Sequence, residues 1–289
     1  MLWLAKIGSK IALSRLPFAY RVWQRLGLFR HGAMDTSSYA LQVFERHLQR
    51  LGSKRRETLV ALELGPGDSV ACALLAAAHG AQHTYLVDAG DFAVKDMAVY
   101  AQLGAGFSRA GVTLPADLDL ATFDGFLRTC RASYLTAGLD SLRTIPSSSV
   151  DFAWSQAVLE HVPLEEFLPT MRELHRVLKP DGIASHRVDL KDHLAAALNN
   201  LRFSQATWES ALFRRSGFYT NRIRFQQMLD LFAQAGFGVR VLGVDRWKRL
   251  PTPRARMSDP FRSMDPDALL VSGFDVVLSK HQGAAESLA

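Results

Sequence analysis

A glycine-containing turn follows the first short apolar segment, and an acidic residue precedes its first glycine. Residues 62–69 read LELGPGDS. Gly65 and Gly67 let a ligand approach the backbone because no Cβ atom intervenes, and the N–H groups that open the following helix suit a carboxylate. A dinucleotide site would carry a third glycine in the pattern G-x-G-x-x-G, but Val70 stands there. We therefore expect a ligand other than a dinucleotide at four residues: Glu63, Gly65, Gly67 and Asp68.

A second carboxylate follows the next apolar segment. Asp88 ends the string YLVD, and an acid at the end of the second strand of a doubly wound sheet can accept both ribose hydroxyls. The alternative is that Asp88 caps a helix or stabilises a turn. Because the glycine turn precedes Asp88, we favour ribose binding.

Two further segments complete a series of motifs. Residues 149–162 read SVDFAWSQAVLEHV, and residues 173–182 read ELHRVLKPDG. With the glycine turn and Asp88, they resemble the motifs of class I S-adenosylmethionine (SAM)-dependent methyltransferases in order and spacing, over about residues 58–190. The resemblance implies SAM as the cofactor, with Glu63 linked to the methionine ammonium and the glycines making room for methionine and ribose.

The same resemblance implies two further contacts with the cofactor. The end of the fourth strand and its LEHV turn face SAM in this family, which points to Ser155 and Gln156. A residue after the third strand often touches the adenine amine. Here Leu139 replaces the usual acid after Gly138, so Asp140 or a backbone group would take that role.

Transfer of a methyl group to an alcohol requires a base that removes the hydroxyl proton. Four residues at or after the fourth and fifth predicted strands are candidates, since ligands bind at the carboxyl ends of strands in such sheets. A lone histidine is more often structural, and His161 has the alternative of packing beside the cofactor. The candidate catalytic residues are His161, His186, Asp189 and His193.

Several acceptor classes are disfavoured by the sequence. Amino-methylating DNA enzymes carry an Asn/Asp-Pro-Pro-aromatic motif where residues 154–157 read WSQA. Cytosine C5 enzymes need a nucleophilic cysteine near a proline, and neither Cys72 nor Cys130 fits. Carboxylates do not cluster at the strand ends as a catechol-type magnesium site requires, so we predict no metal.

A sugar, a glycan or another small hydroxyl compound is the acceptor that we predict. Residues 218–224 read FYTNRIR and mix aromatic, amide and guanidinium groups, which suit polyhydroxyl or anionic ligands. The chain also resembles bacterial methyltransferases of surface-polysaccharide biosynthesis, and this resemblance implies O-methylation of a glycan. The predicted substrate-binding residues are Tyr219, Asn221, Arg222 and Arg224.

Three alternatives stay open. The basic stretches of the chain are compatible with an RNA methyltransferase, although no RNA-binding appendage is recognisable. A methyltransferase-like module that binds SAM without turnover would keep the same glycine turn and acids. An NAD-dependent oxidoreductase is disfavoured by Val70. The oligomeric state is left open by the sequence.

The elements that position these residues alternate between strand and helix patterns, which predicts a parallel sheet with helices on both faces. The fold expected is α/β, a Rossmann-like doubly wound sheet of seven strands with a helical N-terminal extension. The predicted strands are Thr58–Leu64, Thr84–Val87, Ser133–Ala137, Val150–Ser155, Ile183–Val188, Val239–Val244 and Ala268–Leu278. Helices are predicted at Ser69–His79, at Phe92–Leu103, at 164–178 and from Phe225 to Gly236.

The chain divides into two regions by pattern. Residues 1–55 read as a helical extension or lid with three apolar stripes, the third formed by Leu41, Phe44, Leu48 and Leu51. Residues 56–289 form the predicted SAM-binding domain. Acceptor-side insertions are expected at about 191–222 and 245–267, because the strand and helix pattern loosens there.

Charge and composition suggest where the protein works. The net charge is +6, and residues 1–34 contain no Asp or Glu but six Lys or Arg. Such a basic amphipathic segment is typical either of a solvated face or of contact with an anionic membrane surface. No run reaches the roughly 18 apolar residues of a membrane span. With only two cysteines, we expect a cytoplasmic protein, with contact at the inner membrane face as an option.

Overall fold

Seven short apolar segments of the chain pair into one mixed sheet. The computed structural model describes residues 36–52 and 58–280, and its strand order is β3-β2-β1-β4-β5-β7-β6. Strands β1 to β5 run parallel, while β7 lies antiparallel between β5 and β6. The strands are β1 Leu59–Leu64, β2 Ala81–Val87, β3 Ala132–Leu135, β4 Val150–Gln156, β5 Leu178–Asp189, β6 Gly238–Arg246 and β7 Val271–Ser279.

This topology confirms the predicted α/β Rossmann-like fold with seven strands, and it corrects the expectation of a purely parallel sheet at β7. Ten α-helices are described, besides short 3₁₀ turns at Asn199–Arg202 and Arg254–Arg256. They are α1 Ser37–Gln49, α2 Ala71–Ala78, α3 Met97–Arg109, α4 Phe123–Thr129, α5 Leu139–Thr144, α6 Leu164–Val177, α7 Gln205–Trp208, α8 Ala211–Arg214, α9 Phe225–Gln234 and α10 Pro266–Leu269.

Side chains alternate between the two faces of the sheet and form two large apolar cores. On one face, Phe44 of α1, Leu74 of α2 and Phe107 of α3 pack with Trp154 of β4. On the other face, helices α5, α6 and α9 pack on β4, β5 and β7. Helix α1 therefore lies on the same side as the helix that follows the glycine turn.

The N-terminal extension is described only in part. Helix α1 confirms the third apolar stripe, whose Phe44 and Leu48 are buried. The first two stripes and the basic segment, with the membrane contact predicted for it, lie outside the described residues. Within the described part, none of the helices has the length and apolarity needed to cross a membrane.

Several element boundaries differ from the sequence prediction, and at least one helix was not predicted. Strand β5 begins at Leu178 instead of Ile183, because Leu178 already pairs with Val150 and a register irregularity accommodates the KPDG residues. Helix α3 begins at Met97 instead of Phe92, since Asp96 caps it by accepting from Ala98 N at 3.0 Å. Helix α4 was not predicted; Thr122 caps it through Oγ1, which accepts from Gly125 N at 2.9 Å.

The first predicted insertion folds over the carboxyl ends of β4 and β5. Asp192 organises its start: Oδ1 accepts from the backbone N–H groups of Leu194, Ala195 and Ala197. A small aromatic core that includes Trp208 then joins its short helices. The end of the insertion contacts the turn after β4, where Asn221 donates to the carbonyl oxygens of Leu159 and Val162.

Candidate cofactor and acceptor site

The glycine turn after β1 has a backbone that excludes side chains. Gly65 and Gly67 have φ values of +68° and +66°, in the left-handed region that favours glycine. A Cβ atom on Gly65 would also lie 2.5 Å from Cγ1 of Val158. Because Val158 belongs to the turn after β4, these two turns meet at the carboxyl edge of the sheet.

Glu63 is a buried acid at the end of β1. Its side chain is 4% exposed, and Oε2 has no hydrogen-bond partner within residues 36–52 and 58–280. Burial raises the pKa of this carboxyl to about 8. A cationic donor placed beside it would satisfy the oxygen and favour the charged form. The position therefore suits an ammonium group.

Asp88 ties the end of β2 to the glycine turn. Its Oδ2 accepts from Gly67 N at 2.8 Å, and Oδ1 accepts from Ala89 N at 2.7 Å. These bonds hold the carboxylate beside the glycine turn. The structure thus places Glu63, Gly65, Gly67 and Asp88 at the carboxyl ends of β1 and β2, with Asp68 in the same turn.

The turn after β3 completes this edge through its backbone. The N–H of Gly138 donates to the carbonyl oxygen of Asp88 at 2.8 Å. The carboxylate of Asp140 is exposed and pairs with Arg143 at 2.7 Å. The turn is therefore beside the predicted ribose acid, but the side chain of Asp140 is engaged on the surface of α5.

The last two residues of β4 project to opposite faces of the sheet. Ser155 Oγ lies 2.7 Å from Nδ1 of His186, and both side chains are fully buried. Burial lowers the pKa of His186 to about 3. This placement differs from the accessible base expected at His186. On the opposite face, Oε1 of Gln156 lies 3.2 Å from Nε2 of His47.

Two of the predicted catalytic histidines meet beyond the ends of β4 and β5. Nε2 of His161 and Nε2 of His193 are 3.0 Å apart, and the rings stack at 12° with centroids 4.8 Å apart. Nδ1 of His161 lies 2.9 Å from the carbonyl oxygen of Tyr219. Asp189, at the end of β5, accepts from Lys191 N at 2.9 Å.

The four predicted substrate-binding side chains are buried in the packing of the insertion. Tyr219 donates to Glu209 at 2.9 Å. Asn221 donates to the carbonyl oxygens of Leu159 and Val162 at 2.8 and 3.0 Å. The two arginines donate to backbone carbonyl groups, and burial lowers the pKa of each to about 10. These residues hold the insertion on the β4 turn, and buried side chains of this kind are not exposed to a substrate.

Glu160 is a candidate functional residue that was not predicted. Both carboxyl oxygens are buried without hydrogen-bond partners in the described part of the chain, and burial raises the pKa of the carboxyl to about 8. It lines a cavity of about 10 Å³ together with Asp189, Asn200, Arg222 and Arg224, which is room for about one water molecule. The LEHV string contains Glu160, but nothing in that string reveals its burial.

A larger cavity, of about 270 Å³, lies at the opposite edge of the sheet. It is lined by residues near the starts of β2 and β3, including Ala81, Asp117 and Arg131. Ligands of doubly wound folds bind at the carboxyl ends of the strands, so this cavity is on the wrong side for the chemistry. Across the residues described, no three His, Cys, Asp or Glu side chains are grouped as metal ligands.

Comparison with known structures gives fold similarity at low sequence identity. A SAM-dependent methyltransferase from Mesorhizobium loti is 18% identical, with coverage of 86% of this chain and 99% of that one and a TM-score of 0.44. The YcgJ protein from Bacillus subtilis is 17% identical, with coverage of 80% and 97% and a TM-score of 0.40.

A third similar structure is longer than this protein. Phosphoethanolamine N-methyltransferase 2 from Haemonchus contortus, in complex with phosphomonomethylethanolamine and S-adenosylhomocysteine, is 14% identical with a TM-score of 0.44. The similarity covers 82% of this chain but only 52% of that one. No curated protein matches the sequence.

A family model covers the part of the chain that carries the glycine turn and the LEHV turn. Residues 62–185 match the model described as a methyltransferase domain. This segment runs from the last residues of β1 through Asp88 and the β4 turn into β5. The chain therefore carries a SAM-dependent methyltransferase domain over residues 62–185.

Proposed function

We propose that this methyltransferase methylates a hydroxyl group of a sugar, a glycan or another small polyhydroxyl acceptor. SAM supplies an electrophilic methyl group, and methylation of a hydroxyl oxygen also needs a group that takes up its proton. The observation that carries the proposal is the contact between His161 and His193. It provides a proton acceptor at the edge of the sheet where an acceptor molecule would approach the cofactor.

The protonation of this histidine pair can be inferred from its partners. A carbonyl oxygen only accepts hydrogen bonds, so the nitrogen of His161 that faces Tyr219, Nδ1, carries a proton. When the ring is neutral, Nε2 of His161 is an acceptor and takes a hydrogen bond from Nε2 of His193. Nδ1 of His193 is then the unprotonated nitrogen of the pair. His193 is exposed, and we propose it as the group that takes up the proton of the acceptor hydroxyl.

The cofactor would be held by residues whose surroundings suit its parts. We propose that Glu63 binds the methionine ammonium, which would satisfy its buried oxygen. Gly65 and Gly67 would let the methionine and ribose approach the backbone closely, since neither residue carries a Cβ atom. Asp88 would accept from the ribose hydroxyls. Asp68, Gln156 and the backbone of the Gly138–Asp140 turn complete the proposed site, whereas the side chain of Asp140 pairs with Arg143 and that of Ser155 bonds to His186 on the opposite face of the sheet.

The acceptor would be bound by residues that follow β5. Asp189 and the exposed His193 lie on the segment that leaves β5, and the insertion covers the neighbouring β4 turn. Carboxylate and imidazole groups suit a ligand with several hydroxyl groups. The resemblance to methyltransferases of surface-polysaccharide biosynthesis supports a glycan in particular. A cytoplasmic location, with contact at the inner membrane face, remains part of the same proposal.

The test is a product assay across acceptor classes. The purified protein is incubated with SAM and with neutral sugars, uronic acids, nucleotide sugars, amines or RNA, and both S-adenosylhomocysteine and the methylated product are measured by mass spectrometry. We expect a methyl ether on a sugar, lost by at least about 100-fold in His193→Ala, within the range of general-base effects. Methylation of only amines or RNA would refute the proposal, and cofactor binding without any turnover would indicate a non-catalytic module. His79→Ala, at the end of α2, is the matched histidine control.

A further inference from the structure

A chain of polar side chains connects strand β7 with the end of β4 through helix α1. Arg50 forms an ion pair with Asp275, and its Nη1 donates to Oγ of Ser185 at 3.1 Å. The same Oγ lies 2.7 Å from Nδ1 of His47. Nε2 of His47 in turn lies 3.2 Å from Oε1 of Gln156. Because His47 is fully buried, the surrounding protein fixes the position of its ring.

The direction of each hydrogen bond follows from the groups at its ends. A guanidinium only donates, so Ser185 accepts from Arg50 and keeps its own hydroxyl proton for Nδ1 of His47. Burial lowers the pKa of His47 to about 4, so the ring is neutral near pH 7 with its single proton on Nε2. That N–H donates to the amide oxygen of Gln156. The carbonyl oxygen of the Gln156 amide is thus held toward α1. The NH₂ group of the same amide is left to donate to another group.

Gln156 and Glu63 project from the same face of the sheet. Glu63 is paired in parallel register with Trp154, and paired residues of parallel strands share a face. Residues two apart on one strand also share a face, which adds Gln156 to the same side. An acid at the end of β1 and an amide NH₂ at the end of β4 are complementary to an ammonium and a carboxylate. Those are the two charged groups of an α-amino acid.

We propose that His47 is a positioning residue of the cofactor site, which turns the amide of Gln156 so that its NH₂ group donates to the methionine carboxylate of SAM. If the amide were rotated by half a turn, its oxygen would face the carboxylate and repel it. Arg50, Ser185, His47 and Gln156 form a relay of hydrogen bonds. Arg50 and Ser185 fix the direction of these bonds, because they leave the single imidazole proton on Nε2. The inference rests on the proposed cofactor contact of Gln156, and it is independent of which acceptor the enzyme methylates.

The experiment measures ligand binding without any acceptor. S-adenosylhomocysteine and 5′-methylthioadenosine, which lacks the amino-acid part, are titrated calorimetrically into wild type and variants. We expect His47→Phe, which keeps a ring but no ring nitrogen, to bind S-adenosylhomocysteine about tenfold more weakly, the factor typical of losing one hydrogen bond to a charged group. Its affinity for 5′-methylthioadenosine should equal that of wild type. His47→Gln retains a donor and an acceptor and should recover most of the affinity.

A double-variant cycle separates positioning from general destabilisation. Gln156→Ala should lose at least as much affinity for S-adenosylhomocysteine as His47→Phe, and the double variant should lose no more than Gln156→Ala alone. His79→Phe, a histidine that packs on the same Phe44 but lies outside the relay, is the matched control. If His47→Phe does not fold, Ser185→Ala tests the same relay with an expected loss of about threefold.

The outcomes that would overturn the inference are distinct from a failure of the proposed acceptor. Unchanged affinity of His47→Phe for S-adenosylhomocysteine would overturn it. So would an equal loss for 5′-methylthioadenosine, or additive losses in the double variant. None of these readouts depends on hydroxyl methylation, so a wrong acceptor class leaves the inference standing.

Discussion

Gly65 and Val158 are packed so closely that a Cβ atom on Gly65 would lie 2.5 Å from Cγ1 of Val158. The contact joins the turn after β1, where we propose that the cofactor binds, to the turn after β4. It also explains why a glycine is needed here for two separate reasons. One is the positive φ of the backbone, and the other is the absence of space.

These two reasons can be separated by substitution. We expect Gly65→Ala to weaken binding of S-adenosylhomocysteine by more than about tenfold, since the new methyl group must displace Val158 or the turn itself. Adding Val158→Ala should recover part of the affinity by making space. Gly80→Ala is the matched control, because Gly80 also has a positive φ of +86° but nothing within 4 Å of its Cβ position. Equal binding by wild type and Gly65→Ala would show that the turn does not hold the cofactor.

Two acids of the proposed cofactor site differ sharply in their surroundings. Asp88 is 8% exposed and bonded to the glycine turn, whereas Asp140 is exposed and paired with Arg143. We expect Asp88→Ala to lower affinity for S-adenosylhomocysteine by about 10- to 100-fold, the range for hydrogen bonds to a charged group. Asp140→Ala should change it by less than about twofold. Calorimetry measures the affinity of both variants for S-adenosylhomocysteine. A large loss of affinity in Asp140→Ala would instead support a contact between Asp140 and the adenine.

Much of the fold could be predicted from local pattern. Strands β1, β2 and β4 coincide with short apolar runs, and helix α6 follows from the spacing of Leu164, Phe167 and Leu174. One departure is the start of β5, where the KPDG string is typical of a turn. There, pairing of Leu178 with Val150 overrides the local preference, because a strand is defined by its partner as well as by its own sequence.

The residues of the candidate site differ in the same way: those within short motifs could be predicted, and those joined only by long-range contacts could not. Glu63, Gly65, Gly67 and Asp88 lie within short motifs, so their positions could be predicted. His47 could not be associated with the site, because its contacts with Gln156 and Ser185 span 109 and 138 residues of sequence. The amide and guanidinium groups of residues 218–224 illustrate the opposite problem. Their types suit a ligand, yet the amide of Asn221 and the terminal nitrogens of both arginines donate to backbone carbonyl groups that only the fold brings near.

Asn221 provides a stability test of the insertion. Its side chain donates to two carbonyl oxygens of the β4 turn and accepts from Ile223 N at 3.1 Å. Asn221→Ala would leave these buried groups unpaired, so we expect the free energy of unfolding to fall by about 2–4 kcal/mol. Urea titration measures the change. Gln226→Ala, which removes an exposed hydrogen bond to Asp230, should cost less than about 0.5 kcal/mol; a similarly small effect at Asn221 would contradict its structural role.

The buried carboxyl of Glu160 should make the free energy of unfolding depend on pH. Burial raises the pKa of its carboxyl from 4.5 to about 8, so between these pH values the folded state binds more protons at this group than the unfolded state does. The free energy of unfolding contributed by Glu160 therefore falls as pH rises from about 4.5 to 8. The full change is about 3–5 kcal/mol, from about 1.4 kcal/mol per pKa unit.

Glu160→Gln isolates this contribution, since the amide cannot ionise. The buried Glu63 acts in the same direction as Glu160, and its pKa is also about 8. His47 and His186 act in the opposite direction, because their lowered pKa values make the protein lose stability as pH falls below 6.5. Urea titrations of wild type and Glu160→Gln from pH 5 to pH 9 should therefore diverge in favour of the variant as pH rises. The exposed Glu165→Gln serves as the matched substitution, and parallel curves for wild type and Glu160→Gln would refute a buried, unpaired carboxyl at the β4 turn.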